Sequence, residues 1–180
     1  MNQLKCTIEE KDKTIASHES RMVNSKQYSR NKNIEIINVE QKPNENLEVI
    51  MSKLAKDLEV PLCPGDIDVM HRVPTKRQGA HPKIVVQFTT RTIRERWLEK
   101  RRQGVASEKI VDGATDNKTV YIYRHLAEHW RTLLWQARQR GHPLGYHLIW
   151  FKDNKIMAKK NVVDRNIVYL YTLQDLVKLV

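Results

Sequence analysis

The chain has 180 residues, enough for one sizeable core or two modest ones and too few for several large domains. Its 32 basic side chains against 21 acidic ones give a formal charge of +11, so a polyanion is the leading partner expected, nucleic acid ahead of an anionic membrane surface. No apolar run approaches the roughly 18 residues that a spanning helix requires, and the polar opening MNQLKCTIEEKDK lacks the apolar stretch of a secretory signal, so a cytoplasmic or nuclear chain is expected.

In chain order, the first region, residues 1–32, has no Pro or Gly and reads as a helical arm. Leu4, Ile8, Ile15 and Met22 fall on the seam of a heptad whose other places hold Lys11, His18 and Ser25. The pattern fits a short coiled coil that joins copies of the chain, or a solvated helix. Residues 33–123 form the second region. NIEIINV alternates as a strand, QKPNEN signals a turn, and Leu47, Ile50, Met51, Leu54 and Leu58 recur at helical spacing behind a cap at Asn44 or Asn46. PLCPGD breaks that helix, IDVMHRV is a second strand, TKRQGAHP a basic loop and KIVVQF a β-branched third strand. RTIRERWLEKRRQG supplies a helix with Ile93, Trp97 and Leu98 as its apolar stripe, and after a polar stretch from Gln103 to Lys118 the segment TVYIY alternates as a fourth strand. The order β, α, β, β, α, β predicts an α+β fold of the ferredoxin-like kind, which also underlies the RNA recognition motif.

The third region, residues 124–180, opens on HLAEHWRTLLWQARQRG, an amphipathic helix stopped by Gly141. YHLIWF and KIMAKK read as strands joined by a tight turn at Asp153 and Asn154, and TLQDLVKLV as a closing helix capped by Thr172. The expected unit is a small α, β-hairpin, α domain.

Catalytic chemistry finds little footing in these residues. HLAEH matches the H-x-x-E-H pattern of one zinc-protease class, but a third ligand is missing, and Arg124 and Arg131 flank the histidines with opposing charge. Cys6 and Cys63 are expected as free thiols, since two distant cysteines without paired histidines make no zinc site. Neither a Gly-rich phosphate loop nor a Ser-His-Asp arrangement occurs, so no cofactor and no enzyme activity are expected.

The basic segments say more. From His71 to Arg102, ten cations less two carboxylates leave a local charge of +8. Arg91, Arg94, Arg101 and Arg102 are expected on one helical face, away from Ile93 and Trp97, where they would meet a phosphate chain together or simply solubilise the surface. Arginine suits phosphate because its planar fork binds two oxygens at once. His71 and Arg72 end the second strand, where either contacts a base or phosphate or simply caps the sheet, and Lys76 and Arg77 in the basic loop extend the candidate surface. On the later helix Arg124, Arg131 and Arg138 recur every seven residues and the last two bracket Trp135, which either stacks a base or packs beneath the hairpin or against the preceding domain. Aromatics for base stacking on the first and third strands are nearly absent, since only Phe88 occurs there, so binding should follow backbone charge: six phosphate contacts imply a log-log salt slope of roughly −4 to −5.

The runs YSRNKNIEIINVEQKPNENLEVI, HRVP, KIVVQF followed by RTIRERW, and VYIYRHLAEHWRTLLWQARQRGHPLGYHLIWFKDNKIMAKKN resemble the baculovirus few-polyhedra (FP) proteins and the first-open-reading-frame proteins of insect LINE-type retrotransposons. The resemblance spans about Ser29 to Val180. It implies a coiled coil, an RNA-recognition-like domain and a small C-terminal domain. It also implies RNA coating by a homo-oligomer, a trimer in the retrotransposon members. The family's basic contacts carry over onto His71, Arg72, Arg91, Arg94 and Arg101. One departure stands out: where the family pattern at the later helix is Asn-Glu-His-Leu-Thr, this chain has Tyr123, Arg124, His125, Leu126 and Ala127, which lacks the capping Thr. The expected function is non-catalytic binding of RNA or single-stranded DNA with self-association through the arm. The alternative is a structural, protein-interaction role of the viral FP type.

Overall fold

The computed structural model describes residues 2–75 and 78–180, without the side chains of residues 2–4 and 6. The chain opens on α1 (Asn2–Tyr28). Two compact units follow from the contacts: Arg30–His125 is one, and the residues up to Ser29 join Leu126–Val180 in the other. Helix and sheet are mixed throughout, as an α+β chain requires.

In Arg30–His125, β1 (Asn33–Ile37), α2 (Leu47–Asp57), β2 (Ile67–Val73), β3 (Lys83–Phe88), α3 (Arg91–Glu99) and β5 (Thr119–Arg124) follow the expected order, with β4 (Val105–Ala106) and α4 (Ser107–Ile110) inserted before β5. The sheet order is β2-β3-β1-β5-β4 and every neighbouring pair is antiparallel. Period-two alternation turns Ile34 and Ile36 inward, opposite Val86 and Ile84 of β3 and beside Ile122 of β5. Their rows pack with Met51 and Leu54 of α2 and with Trp97 and Leu98 of α3 in one core. Asn46, not Asn44, caps α2: its Oδ1 accepts from the Glu48 N–H at 2.8 Å, whereas Asn44 takes φ 56° in the preceding turn. The polar stretch after α3 is more ordered than its composition implies, because Val105, Ile110 and Val111, its apolar residues larger than alanine, all enter the core.

The second unit contains α5 (Glu128–Gly141), β6 (Leu148–Lys152), β7 (Lys155–Lys159) and β8 (Val168–Leu170). Four features correct the sequence expectation. Helix α5 starts at Glu128, so the HLA of HLAEH precedes it. Gly141 ends α5 in ordinary right-handed geometry, and the chain runs on through a 3-10 turn, His142–Leu144, to Gly145 at φ 83°. Gly141 is small for a packing reason: a Cβ there would lie 2.7 Å from Ile149 Cδ1. The hairpin β6-β7 gains a third strand, β8, whose three residues are too few to show a period, and the closing segment Leu173–Lys178 is 3-10 rather than α. The hairpin turn itself behaves as its residues imply, with Asp153 and Asn154 at φ 49° and 53°, the left-handed pair that a tight two-residue loop demands.

The end of α1 belongs to this unit. Val23 packs against the core of Leu133, Ile156 and Leu170, and Asn154 donates to Asn24 at 3.1 Å. Gln27, 2% exposed, accepts the Ala127 N–H through Oε1 at 2.9 Å. Ala127 has no side-chain acceptor for the start of α5, and Gln27 supplies a partner at that point from a distant part of the sequence.

Candidate nucleic-acid interface

Helix α3 and its following turn carry five arginines, four of them on the candidate surface, and their placement departs from the expected wheel. At 100° per residue, Arg94 lies three and four places before Trp97 and Leu98, so it shares their inward stripe. Accordingly it is 6% exposed, with Trp97 and Leu98 as the other buried residues of α3. The helix ends at Glu99 with Lys100 as cap, so Arg101 and Arg102 stand in the turn beyond it and not on its face. Arg91, Arg96, Arg101 and Arg102 are exposed.

A single carboxylate organises the inner part of this cluster. Glu95 accepts from Arg124 Nη1 at 3.2 Å and Nη2 at 3.0 Å, one bond to each oxygen, and Arg94 Nη1 forms an ion pair with it at 3.1 Å. Burial presses the Arg94 guanidinium below its ordinary pKa, Glu95 works against that, and Arg124 and Arg91 add to it. Arg101 is pressed the same way, first by burial and then by Arg124 and Arg102, and its Nη1 reaches the Leu98 carbonyl at 3.4 Å. Arg124, expected on the later helix with Arg131 and Arg138, stands instead at the end of β5 and belongs to this cluster. The signal was present: β5 alternates, so Arg124 on the Ile34 rung points to the side where α3 packs.

Of the two roles open to Arg72 at its strand end, phosphate contact and a structural one, it takes the structural one. It stands on the Ile84 rung of β2 and donates all five of its N–H groups internally: Nε and Nη2 to Glu45 at 2.5 and 2.7 Å, and Nη1 and Nη2 to the carbonyls of Val39, Pro82 and Glu40. No donor remains for a phosphate. His71, its neighbour, is exposed on the opposite face, level with Val85. Lys83 donates to Glu35 at 2.6 Å. Lys76 and Arg77 lie outside the described residues.

That opposite face holds what the sequence expectation missed. Val120 and Ile122 of β5 are buried, so Tyr121 and Tyr123 face outward, 38% and 47% exposed, with ring centroids 6.4 Å apart. Aromatics for stacking are thus present on β5, while Phe88 of β3 is buried against Trp97.

In the second unit Trp135 is 61% exposed, which settles its choice between surface and core. Arg131, Trp135 and Arg138 lie at i, i+4 and i+7 on α5, one stripe. Arg131 donates to the Leu126 carbonyl at 3.1 Å and to Glu128 at 3.4 Å, and Arg138 to the Ile149 carbonyl at 3.4 Å. Ile8, Ile15 and Met22 are each more than half exposed on α1 at a spacing of seven, and the Leu4 side chain lies outside those described.

The zinc-site pattern dissolves in the structure. With α5 beginning at Glu128, His125 and His129 share no helical face, and His129 pairs through Nε2 with the Tyr171 carbonyl at 2.9 Å while His125 stands 3.6 Å from Glu35. Among the described residues no group of three or more His, Cys, Asp and Glu is placed to hold a metal, and no helix is long and apolar enough to cross a membrane. Cys63 is a free, exposed thiol.

Fold and surface together define a small basic α+β protein with an arginine cluster at one helix and exposed aromatic rings in both units. Residues 127–180 match the family model for baculovirus FP protein domain 2. The match supports the FP side of the resemblance and gives no support to the retrotransposon side. No curated protein matches the chain.

Proposed function

We propose that the chain is a non-catalytic binder of RNA or single-stranded DNA, acting in the cytoplasm or nucleus, that neutralises phosphates with the arginines of α3 and its following turn. The observation that carries this reading is the concentration of five arginines and one lysine between Arg91 and Arg102 against two carboxylates, with four of those arginines exposed. The strand order β2-β3-β1-β5 around α2 and α3 supports reading Arg30–His125 as ferredoxin-like, of RNA-recognition-motif type. The stripe of Arg131, Trp135 and Arg138 offers a second contact in which the ring stacks a base. The spacing of Ile8, Ile15 and Met22 supports α1 as a coiled coil through which copies associate and weak contacts multiply.

Filter binding of single-stranded RNA across a salt series tests the reading. Retention that falls steeply with salt is expected. A second reading, a structural and protein-interaction role of the FP type, draws on the match of residues 127–180. Weak retention that does not respond to salt would favour it.

A further inference from the structure

We propose that Glu95 occupies the seat of one backbone phosphate, and that a bound polynucleotide strand displaces its carboxylate from Arg94 and Arg124, with Arg101 closing on the incoming group. The inference rests on the nucleic-acid reading and names the seat within it.

A carboxylate and a phosphodiester present the same recognition element to guanidinium, two oxygens that share negative charge about one central atom. Glu95 offers that element to two guanidinium groups at once, with three contacts between 3.0 and 3.2 Å. One carboxylate cannot balance Arg94 and Arg124, and Arg101, whose Nη1 makes a long bond of 3.4 Å to the Leu98 carbonyl, adds a third cation. The seat is therefore under-neutralised while Glu95 holds it. Arg94 makes the same point by hydrogen bonding: it is more than nine-tenths buried, its Nη1 points at the Glu95 carboxylate, and its Nε has no acceptor. Buried guanidinium donors are seldom left so.

Access and release are both available. The Glu95 side chain is 43% exposed and that of Arg124 34%, so the pair meets solvent and the carboxylate has room to swing out. Glu95 lies one residue after Arg94 on the edge of α3, where a change of rotamer moves the carboxylate without disturbing the buried Trp97 and Leu98. Loss of the internal partner during binding would weaken affinity relative to an empty seat, since part of the interaction with phosphate replaces bonds already made.

The test compares Glu95→Gln with Glu99→Gln, which removes the same charge from the same helix at an exposed position. Each variant is titrated with oligouridine over a salt series, after thermal unfolding has shown that it is folded. Glu95→Gln is expected to bind on the order of tenfold more tightly at low salt and to steepen the log-log slope by about 0.7, one further charge neutralised. Glu99→Gln should change affinity by less than about twofold, the residue of a distant charge in water. The gain should vanish in the double variant Glu95→Gln, Arg124→Gln. Weaker binding by Glu95→Gln overturns the proposal by making Glu95 a positioning group, and a gain no larger than that of Glu99→Gln overturns it by reducing Glu95 to bulk charge. Either result leaves the nucleic-acid reading standing. Failure of both the unaltered chain and Glu95→Gln to retain oligouridine at low salt overturns the reading and the seat together.

Discussion

Replacing Arg72 separates a structural guanidinium from a binding one. In the folded chain its five N–H groups meet both oxygens of Glu45 and the carbonyls of Val39, Glu40 and Pro82. The two side chains are 9% and 14% exposed, so solvent screens the pair little. Arg72→Ala would strand a nearly buried carboxylate together with three carbonyls, a loss of about 3–5 kcal/mol. Against a total stability of roughly 5–15 kcal/mol that is a large share. With a urea m-value of about 1–3 kcal/mol per molar, the midpoint should move down by at least about 1 M. Arg72→Lys should recover only a small part, because a single ammonium cannot span Glu45 and three carbonyls in different directions. Urea unfolding followed by circular dichroism measures the stability, and RNA titration of the folded variant measures the rest. Affinity and salt slope should match those of the unaltered chain. A loss below about 1 kcal/mol, joined to a slope shallower by about 0.7, would refute the reasoning and return Arg72 to the phosphate surface.

Trp135→Ala removes a ring that is 61% exposed. Stability should stay within about 0.5 kcal/mol while RNA affinity drops by about 1–3 kcal/mol, and an unchanged titration would remove the ring from the interface. Aspartate at Ile8, Ile15 and Met22 together should lower the molar mass in sedimentation without shifting the urea midpoint, and an unaltered mass would sink the coiled-coil role. Gly141→Ala places a methyl 2.7 Å from Ile149 and should cost roughly 1–3 kcal/mol in urea unfolding. Acid should act through two carboxyls. The Lys42 hydrogen bond, opposed by burial and aided by the N–H groups of Asp116 and Thr115, holds Glu40 at about 2 against 4.5. Asp175, despite the burial that raises it, is held at about 2 against 3.8 by Lys178 and by the N–H groups of Tyr171 and Thr172. As pH falls the unfolded chain takes up protons first, so this stability is complete above about pH 5 and is lost progressively toward 2. A thermal midpoint that stays flat over that window would contradict it.

Strands β1 and β5 and helix α2 were legible because each carries a clean period of its own, two or 3.6, while β3 was legible from its β-branched run and β2 from the Pro- and Gly-bearing turns on either side of it. Strand β8 and the start of α5 were not. Val168–Leu170 is too short for a period, and HLA joins WRTLLW without a break in composition, although the chain turns helical only at Glu128. The site was legible in charge and illegible in direction. A wheel drawn through RTIRERWLEKRRQG continues past Glu99, where the helix stops, and so misplaces Arg101 and Arg102. The partner of Arg72 is Glu45, 27 residues earlier in a turn, and no local rule links the two. The same holds for Gln27 beneath Ala127, a pairing of residues 100 apart that replaces a missing cap. Tyr121 and Tyr123 were the recoverable omission: once Val120 and Ile122 face the core, alternation alone puts both rings outside.

The distinction between held and exposed cations changes the expected salt dependence. Between His71 and Arg102 the formal charge is +8, but Arg72 is committed to Glu45, Lys83 to Glu35, and Arg94 is buried beside Glu95. Arg91, Arg96, Arg101 and Arg102 are the exposed arginines of α3 and its following turn. Four phosphates neutralised on a single strand give a log-log slope of roughly −3, shallower than the −4 to −5 that six contacts imply. A measured slope near −3 would therefore mean that this surface acts alone. A value of −4 to −5 requires two further contacts, and the proposed stripe of Arg131, Trp135 and Arg138 is the source to test first. Removing Arg131 and Arg138 together should then return the slope to about −3, whereas a second copy of the chain as the source of the extra contacts would keep it steep and tie it instead to the stripe on α1.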